Sequence, residues 1–343
     1  MNSPRLTARI ALILVCLPMV GCAQPQPVTF VEHETKIDVL IGNKLFTSYV
    51  HALNPDTPLL AKGRIVAKPV LFPVYSPSGT MMTRGYPFLK VDGEKQDHPH
   101  HMGVYFTIDI AKHGSEAGGN FWGNSQKPLP AIKHIEVTEK KPGRGQGTLS
   151  TTMHWVGSSA RILLEEKRTM VFRALDKSNQ YAIDMTSTLT AQDKQVVITD
   201  TKEGMLAVRV APWLKEKDGT GRYLSSNGEQ TEKNVWGKRA KWMRLQGQKD
   251  SQDYGIAILN HPDSTNYPTY WHARGYGCFS ANPLGQGAFQ KGRKAANPQN
   301  LNLTLNPGQS ALFKHRLLFY EGEKSQDQLE SEFKAYVSMQ KGE

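Results

Sequence analysis

Two long runs of alternating apolar and polar residues, 162–174 and 181–191, constrain the fold most. They flank Asp176-Lys177-Ser178-Asn179, a segment of turn-forming residues. Alternation at period two buries one face of a strand and leaves the other polar. A hairpin of that length is not stable alone and needs further strands beside it and a second layer beneath it.

The rest of the chain supplies them. Strand patterns recur at 36–41, 45–50, 70–75, 132–139, 148–156, 196–199, 205–210, 241–245, 255–259, 301–305 and 311–320. Turn signals such as Gly42-Asn43 and Lys141-Pro142-Gly143-Arg144-Gly145 separate them. Residues 54–63, 112–131, 214–240 and 280–300 read as loop. Only the tail reads as helix: Ser325 and Gln328 form a capping box ahead of an apolar face of Leu329, Phe333, Tyr336 and Val337. The expectation is an all-β, large antiparallel sandwich with a short C-terminal helix, filling residues 36–343 as one domain. No sequence repeat supports a propeller.

The start of the chain reads as an export signal over residues 1–21, with Arg5 and Arg9 ahead of the apolar run 10–17. Met19-Val20-Gly21-Cys22 has the form of a bacterial lipobox. Cys22 is then the lipidation site, residues 22–35 form a tether, and the location is the cell envelope. Cleavage by ordinary signal peptidase after Ala23 is the alternative. Of three cysteines this leaves Cys278 alone, so a core rather than a disulfide must hold the fold. The net charge of +11 is dispersed, without a basic stripe, which argues against nucleic acid as a partner. An anionic envelope or an acidic glycan suits that charge better, and contact with the membrane is expected only through the lipid.

Asp97-His98-Pro99-His100-His101-Met102-Gly103 gathers three of the eleven histidines beside a carboxylate, just ahead of the apolar run 104–108. Pro99 favours extension at His98. If extension continues, His98 and His100 share one face and His101 takes the other. Such a pair can act in acid/base chemistry or as metal ligands; the bland alternative is a polar loop leading into a strand.

Several other segments are too polar and aromatic for plain core: Tyr75-Ser-Pro-Ser-Gly79 with Thr83-Arg84-Gly85, Asn120-Phe121-Trp122, Asp200-Thr201-Lys202-Glu203-Gly204, Trp236-Gly237-Lys238-Arg239-Ala240-Lys241-Trp242, Asn260-His261-Pro262 and Trp271-His272. In this order, from about residue 64 to 320, the series resembles a family of exported bacterial proteins often labelled "methane oxygenase PmoA". It departs from that family at Met102, where Arg is expected. The resemblance implies no settled activity. It does imply a fold similar to the β-supersandwich of galactose mutarotases and related sugar-active enzymes.

The residues themselves suit carbohydrate. Sugars stack on aromatic rings, for which Trp122, Trp236 and Trp271 are candidates, and Asn227, Asn282, His261 and Lys202 could hydrogen-bond hydroxyls. Arg84, Arg209 and Arg239 suit a carboxylate-bearing substrate. Acid and base would come from His100, His101, His272 and Glu203, with Asp97 orienting the cluster. In extended backbone Lys202 shares a face with Asp200, and Glu203 points away. The expected activity is glycosidic cleavage by hydrolysis or β-elimination, or epimerisation. A glycan-binding protein without turnover is one alternative. A metal-dependent oxidoreductase is another, with His98 and His100 as ligands of zinc, copper or iron; otherwise no cofactor is expected.

Overall fold

The computed structural model describes residues 25–52, 67–110, 118–123, 129–175 and 179–339. Cys22 and the export signal lie outside them, as does the loop expected at 54–63. In chain order the strands are β1 (Pro27–Glu32), β2 (Lys36–Ile41), β3 (Lys44–Val50), β4 (Val70–Val74), β5 (Val104–Phe106), β6 (Ala131–Lys141), β7 (Gly143–Arg144), β8 (Gln146–Val156), β9 (Ile162–Ala174) and β10 (Gln180–Ala191). They continue with β11 (Val196–Val197), β12 (Leu206–Arg209), β13 (Arg222–Ser225), β14 (Trp242–Lys249), β15 (Gln252–Asn260), β16 (Tyr270–Ala273), β17 (Cys278–Asn282), β18 (Thr304–Leu305) and β19 (Ser310–Glu321). The helices are α1 (Glu232–Val235), α2 (Gln286–Gly292) and α3 (Gln326–Met339).

All described pairings are antiparallel, so the fold is the expected large β-sandwich with a C-terminal helix. One nine-stranded sheet has the order β16-β17-β12-β5-β4-β3-β2-β1-β7, and an eight-stranded sheet the order β13-β14-β15-β19-β10-β9-β8-β6. The long hairpin of β9 and β10 is in register from Tyr181 opposite Ala174 to Ala191 opposite Leu164. One apolar core runs between the sheets, from Val28, Val39 and Phe46 on one to Phe172, Ile258 and Phe319 on the other. Buried inside it, Glu166 pairs with Arg168 at 2.7 Å and accepts the Trp155 indole N–H at 2.9 Å.

Two expectations change. The stretch 22–35 contributes β1, paired with β2, so it is part of the sheet and not only a tether. The supposed loop 214–240 carries β13 and α1, and 280–300 carries the end of β17 and α2. These elements are short and lack amphipathic repeats, so no periodic signal betrays them. Helix α3 presents its expected apolar face: it lies over the far face of the eight-stranded sheet, where Leu329, Phe333 and Tyr336 cover Trp242, Leu259 and Leu318.

Candidate functional site

Register builds the site. His272 on β16 lies opposite Ser280 on β17; Ser280 lies opposite Ala207 on β12, Ala207 opposite Tyr105 on β5, and Tyr105 opposite Val70 on β4. Paired residues project to the same face. The neighbouring row, Trp271, Ala281, Leu206 and Phe106, belongs to the core between the sheets. The His272 row therefore faces outward, and its two small members, Ala207 and Ser280, make a low floor between His272 and Tyr105. Over this floor lies a groove of ≈ 490 Å³ lined by His98, His100, His101, Asn120, Trp122, Lys202, Glu203, His272, Arg274 and Tyr276.

The histidine loop enters by a turn, not by extension. The His101 amide donates to the His98 carbonyl at 2.9 Å, with Pro99 second in the turn, where its fixed φ is favoured. His98 has φ +42° and Gly103 φ +54°. A Cβ at Gly103 would lie 2.2 Å from the Leu71 carbonyl, so only glycine passes this close to β4. The turn overrides the expected segregation of faces: the His101 ring stacks on His98 at 5.0 Å and lies edge-to-face with His100 at 4.3 Å.

Arg84 and Arg209, both buried, hold the loop from beneath. Asp97 Oδ1 accepts from Arg84 Nη1 at 2.6 Å and from Arg209 Nη2 at 3.0 Å, and Arg84 also donates to the carbonyls of His98 and His101. Burial raises the Asp97 pKa, but the charges of Arg209 and Arg84 outweigh it and hold the carboxyl below its usual value. Expected as substrate contacts, these arginines bind the loop and lie outside the lining of the groove.

The wall opposite is set by Trp122, 3 % exposed. Its amide donates to Asp109 Oδ1 at 3.2 Å, and its carbonyl accepts from the buried ammonium of Lys68 at 2.6 Å. Burial pushes Asp109 up to about 6 and Lys68 down to about 7. Neither residue carries a sequence signal, since each is isolated in apolar or loop context.

Hydrogen bonds fix two tautomers. Trp236 Nε1–H, which can only donate, lies 3.2 Å from His272 Nδ1. Neutral His272 therefore keeps its proton on Nε2. Arg209 Nη1 faces His101 Nδ1 at 3.4 Å and imposes the same tautomer there. Burial, then the charges of Arg274 and Lys202, lowers His272 to about 3; burial, then Lys68, His98, Arg84 and Arg209, lowers His100 to about 3. His101 is pushed well below the ordinary value by burial and by its neighbours' charges. All three are neutral at pH 7. The buried His101 Nε2 and Trp122 Nε1 have no hydrogen-bond partner among the described residues. His272 corrects the sequence reading: it is a fixed N–H donor rather than a free base. Glu203 is the one carboxylate in the lining, and it is in ion contact with Lys202 rather than turned from it. Asp200 does not join them; its carboxylate accepts from the amides of Gly287 and Ala288 at the start of α2, each at 2.8 Å.

Other candidates lie elsewhere. Trp271, at 0 % exposure, is core, because strand alternation sends it inward when His272 faces out. Asn282 donates to the Thr201 carbonyl at 2.9 Å and anchors the 200–204 loop. Asn227 donates to the Arg239 carbonyl at 2.9 Å, and Arg239 stacks on Tyr270 at 5.0 Å while bonding Pro268 and Asn266. His261 is buried against Tyr336 of α3. Trp236 lines a neighbouring hollow of ≈ 480 Å³ with Arg274, Glu216 and Glu232. His98 and His100, the expected metal pair, have rings 5.8 Å apart, and among the described residues no three His, Cys, Asp or Glu side chains are grouped to hold a metal ion. Sequence reasoning noted Arg274 only as a flank of His272 and passed over Tyr276; both sit in the turn that follows β16, where period two no longer sets the face.

An all-β sandwich with an open groove on the outer face of one sheet defines the class. Residues 36–334 match one family model, and the chain belongs to that family, described as "Family of unknown function (DUF6807)". That description names no activity and does not carry the label "methane oxygenase PmoA". No curated protein matches the sequence. Among solved structures the chain is similar to a polysaccharide lyase, at 8% identity and TM-score 0.34 over 88% of this chain and 33% of that one. It is similar to a galactose mutarotase-like protein from Clostridium acetobutylicum, at 10% identity and TM-score 0.35 over 86% and 95%. An α-galactosidase from Lactobacillus brevis matches at 8% identity and TM-score 0.36 over 88% and 40%. The chain thus spans about a third of the lyase and well under half of the galactosidase.

Proposed function

We propose that the protein acts on a carboxylate-bearing sugar by removing a proton from the carbon next to the carboxylate, ending in β-elimination or epimerisation. The observation that carries this reading is one carboxylate, Glu203, in a groove whose ring nitrogens at His101, Trp122 and His272 are set as donors. Glu203 takes the proton; the electron pair moves into the substrate carboxylate, and the N–H groups hold the oxygens on which charge builds. The pair then returns either to expel the glycosidic oxygen, which takes the proton back from Glu203, or to take a proton from solvent on the other face while Glu203 releases its own to solvent. Lys202 must leave Glu203 for this, and its ammonium then faces the new anion.

Hydrolysis is less well supported, because glycosidases of the usual kind need two carboxyl groups flanking the bond. Asp97 is tied to two arginines and lies outside the groove lining. The export signal read in the sequence makes the cell envelope the proposed location, with Cys22 carrying lipid; the mass of the mature N-terminus tests that part.

The test is incubation with uronate-containing and neutral polysaccharides in D2O, followed by NMR. Loss of the proton beside the carboxylate, seen as deuterium there after epimerisation or as a new vinyl C–H signal after elimination, and abolished in Glu203→Gln with binding retained, is the expected result. Binding without exchange or unsaturated product would make this a glycan-binding protein, and no binding of any saccharide would remove the carbohydrate reading.

A further inference from the structure

Behind the histidine loop lies a second, smaller hollow of ≈ 190 Å³, lined by Arg84, Lys95, Asp97, Arg209, Lys215, Lys217 and Tyr276 among others. Its charge is out of balance. Arg84 and Arg209 are each 3 % exposed, and both guanidinium groups converge on a single oxygen of Asp97. The other bonds of Arg84 go to carbonyls, and Arg209 otherwise faces a neutral histidine and the Tyr276 ring at 4.9 Å. Glu94, whose charge also acts on Arg84, is occupied by the amides of Gly85 and Tyr86, each at 3.0 Å. The Nε of each arginine is buried without a partner among the described residues. A buried guanidinium demands pairing, and here two share one carboxylate while three lysines stand round the mouth with Asp218 the only further acid in the lining.

We propose that this hollow is an anion site that takes a single oxyanion group, sulfate or phosphate, as the missing counter-charge of Arg84 and Arg209. The group can arrive as a free ion or as an ester on a saccharide. Tyr276 lines both this hollow and the groove, so an ester substituent on a sugar seated in the groove would lie beside the anion site. The site does not depend on the catalytic reading; it follows from charge and geometry alone.

The test is titration of the purified protein with inorganic phosphate and with sulfate at constant ionic strength, followed by NMR of the arginine Nε–H signals and by calorimetry. Saturable shifts of the Arg84 and Arg209 signals are expected. Affinity should fall about tenfold in the double variant Lys215→Gln/Lys217→Gln, a size in keeping with two charge-assisted contacts, while Lys167→Gln on β9 of the other sheet leaves it unchanged. A sulfated oligosaccharide that binds more tightly than both free sulfate and its desulfated form identifies the ester as the source; equal binding of free and esterified anion identifies the free ion. Shifts that do not saturate, or that chloride reproduces, overturn the proposal. Anion binding without any saccharide binding would leave this site standing and remove the glycan reading, and saccharide binding without anion binding would do the reverse.

Discussion

The indole Nε1 of Trp236 lies 3.2 Å from Nδ1 of His272, and this bond joins two hollows that are otherwise divided by Arg274. A donor that cannot accept decides where the imidazole keeps its proton. Trp236→Phe retains the ring but loses that decision. We expect kcat on the proposed substrate to fall about tenfold, the worth of one hydrogen bond to a reacting group, with little change in KM. Nitrogen-15 NMR of His272 should show a mixture of tautomers in the variant and the Nε2–H form alone in the parent; an unchanged spectrum would refute the role assigned to Trp236.

Acid should weaken the fold through its buried histidines. Burial lowers His100, His272 and His315 to about 3 and His134 to about 4, against an ordinary value of 6.5. Between those values the unfolded chain holds more protons than the folded one, so stability is full above pH 6.5 and declines as pH falls towards 3. Each group adds at most about 1.4 kcal/mol per pH unit to the slope. Asp109, raised to about 6 by burial, works in the opposite sense between its ordinary value and 6. Urea midpoints measured from pH 7 to 4 should fall, and fall less steeply in His315→Gln. A flat profile would contradict neutral burial of these rings.

How much of this could be read from the sequence depends on periodicity. β9 and β10 alternate over many residues and were legible, as was the α3 capping box, where Gln328 donates its amide to the Ser325 hydroxyl at 3.2 Å. The groove was legible as a set of segments, because His100, His101, Trp122, Lys202, Glu203 and His272 do meet. The contacts each of them makes were not. Whether Trp271 or His272 faces the groove depends on which face of β16 meets the other sheet, and both candidates stood next to each other. Arg84 and Arg209 looked like groove ligands because Asp97, the acid they share beneath the histidine loop, is far from Arg209 in sequence. The histidine turn was misread because Pro99 is equally at home in an extended strand and in the second place of a turn.

Gly103 offers a direct check on how that turn is held. With φ +54° and the Leu71 carbonyl 2.2 Å from any Cβ, Gly103→Ala must displace either the loop or β4. A loss of about 1–3 kcal/mol is expected from strain and close contact together. Because His98, His100 and His101 ride on this loop, binding to the groove should fall with stability. A variant that folds and binds as the parent does would mean that the loop is held elsewhere.

Asp184 is the point on which the α3 side of the eight-stranded sheet depends. It lies 3 % exposed between Arg173, whose Nε donates at 2.7 Å, and Arg316, whose Nη2 donates at 2.7 Å. Arg316 in turn stacks on Tyr336 of α3 at 4.7 Å. Asp184→Ala leaves two guanidinium groups without their counter-charge beneath the helix, and removing one partner of a buried pair costs about 3–5 kcal/mol. The melting temperature should drop accordingly, and α3 should lose amide protection before the sheets do. Because the groove lies on the other sheet, ligand affinity below the melting range should stay unchanged; a parallel loss of binding would mean that the two faces of the sandwich are coupled.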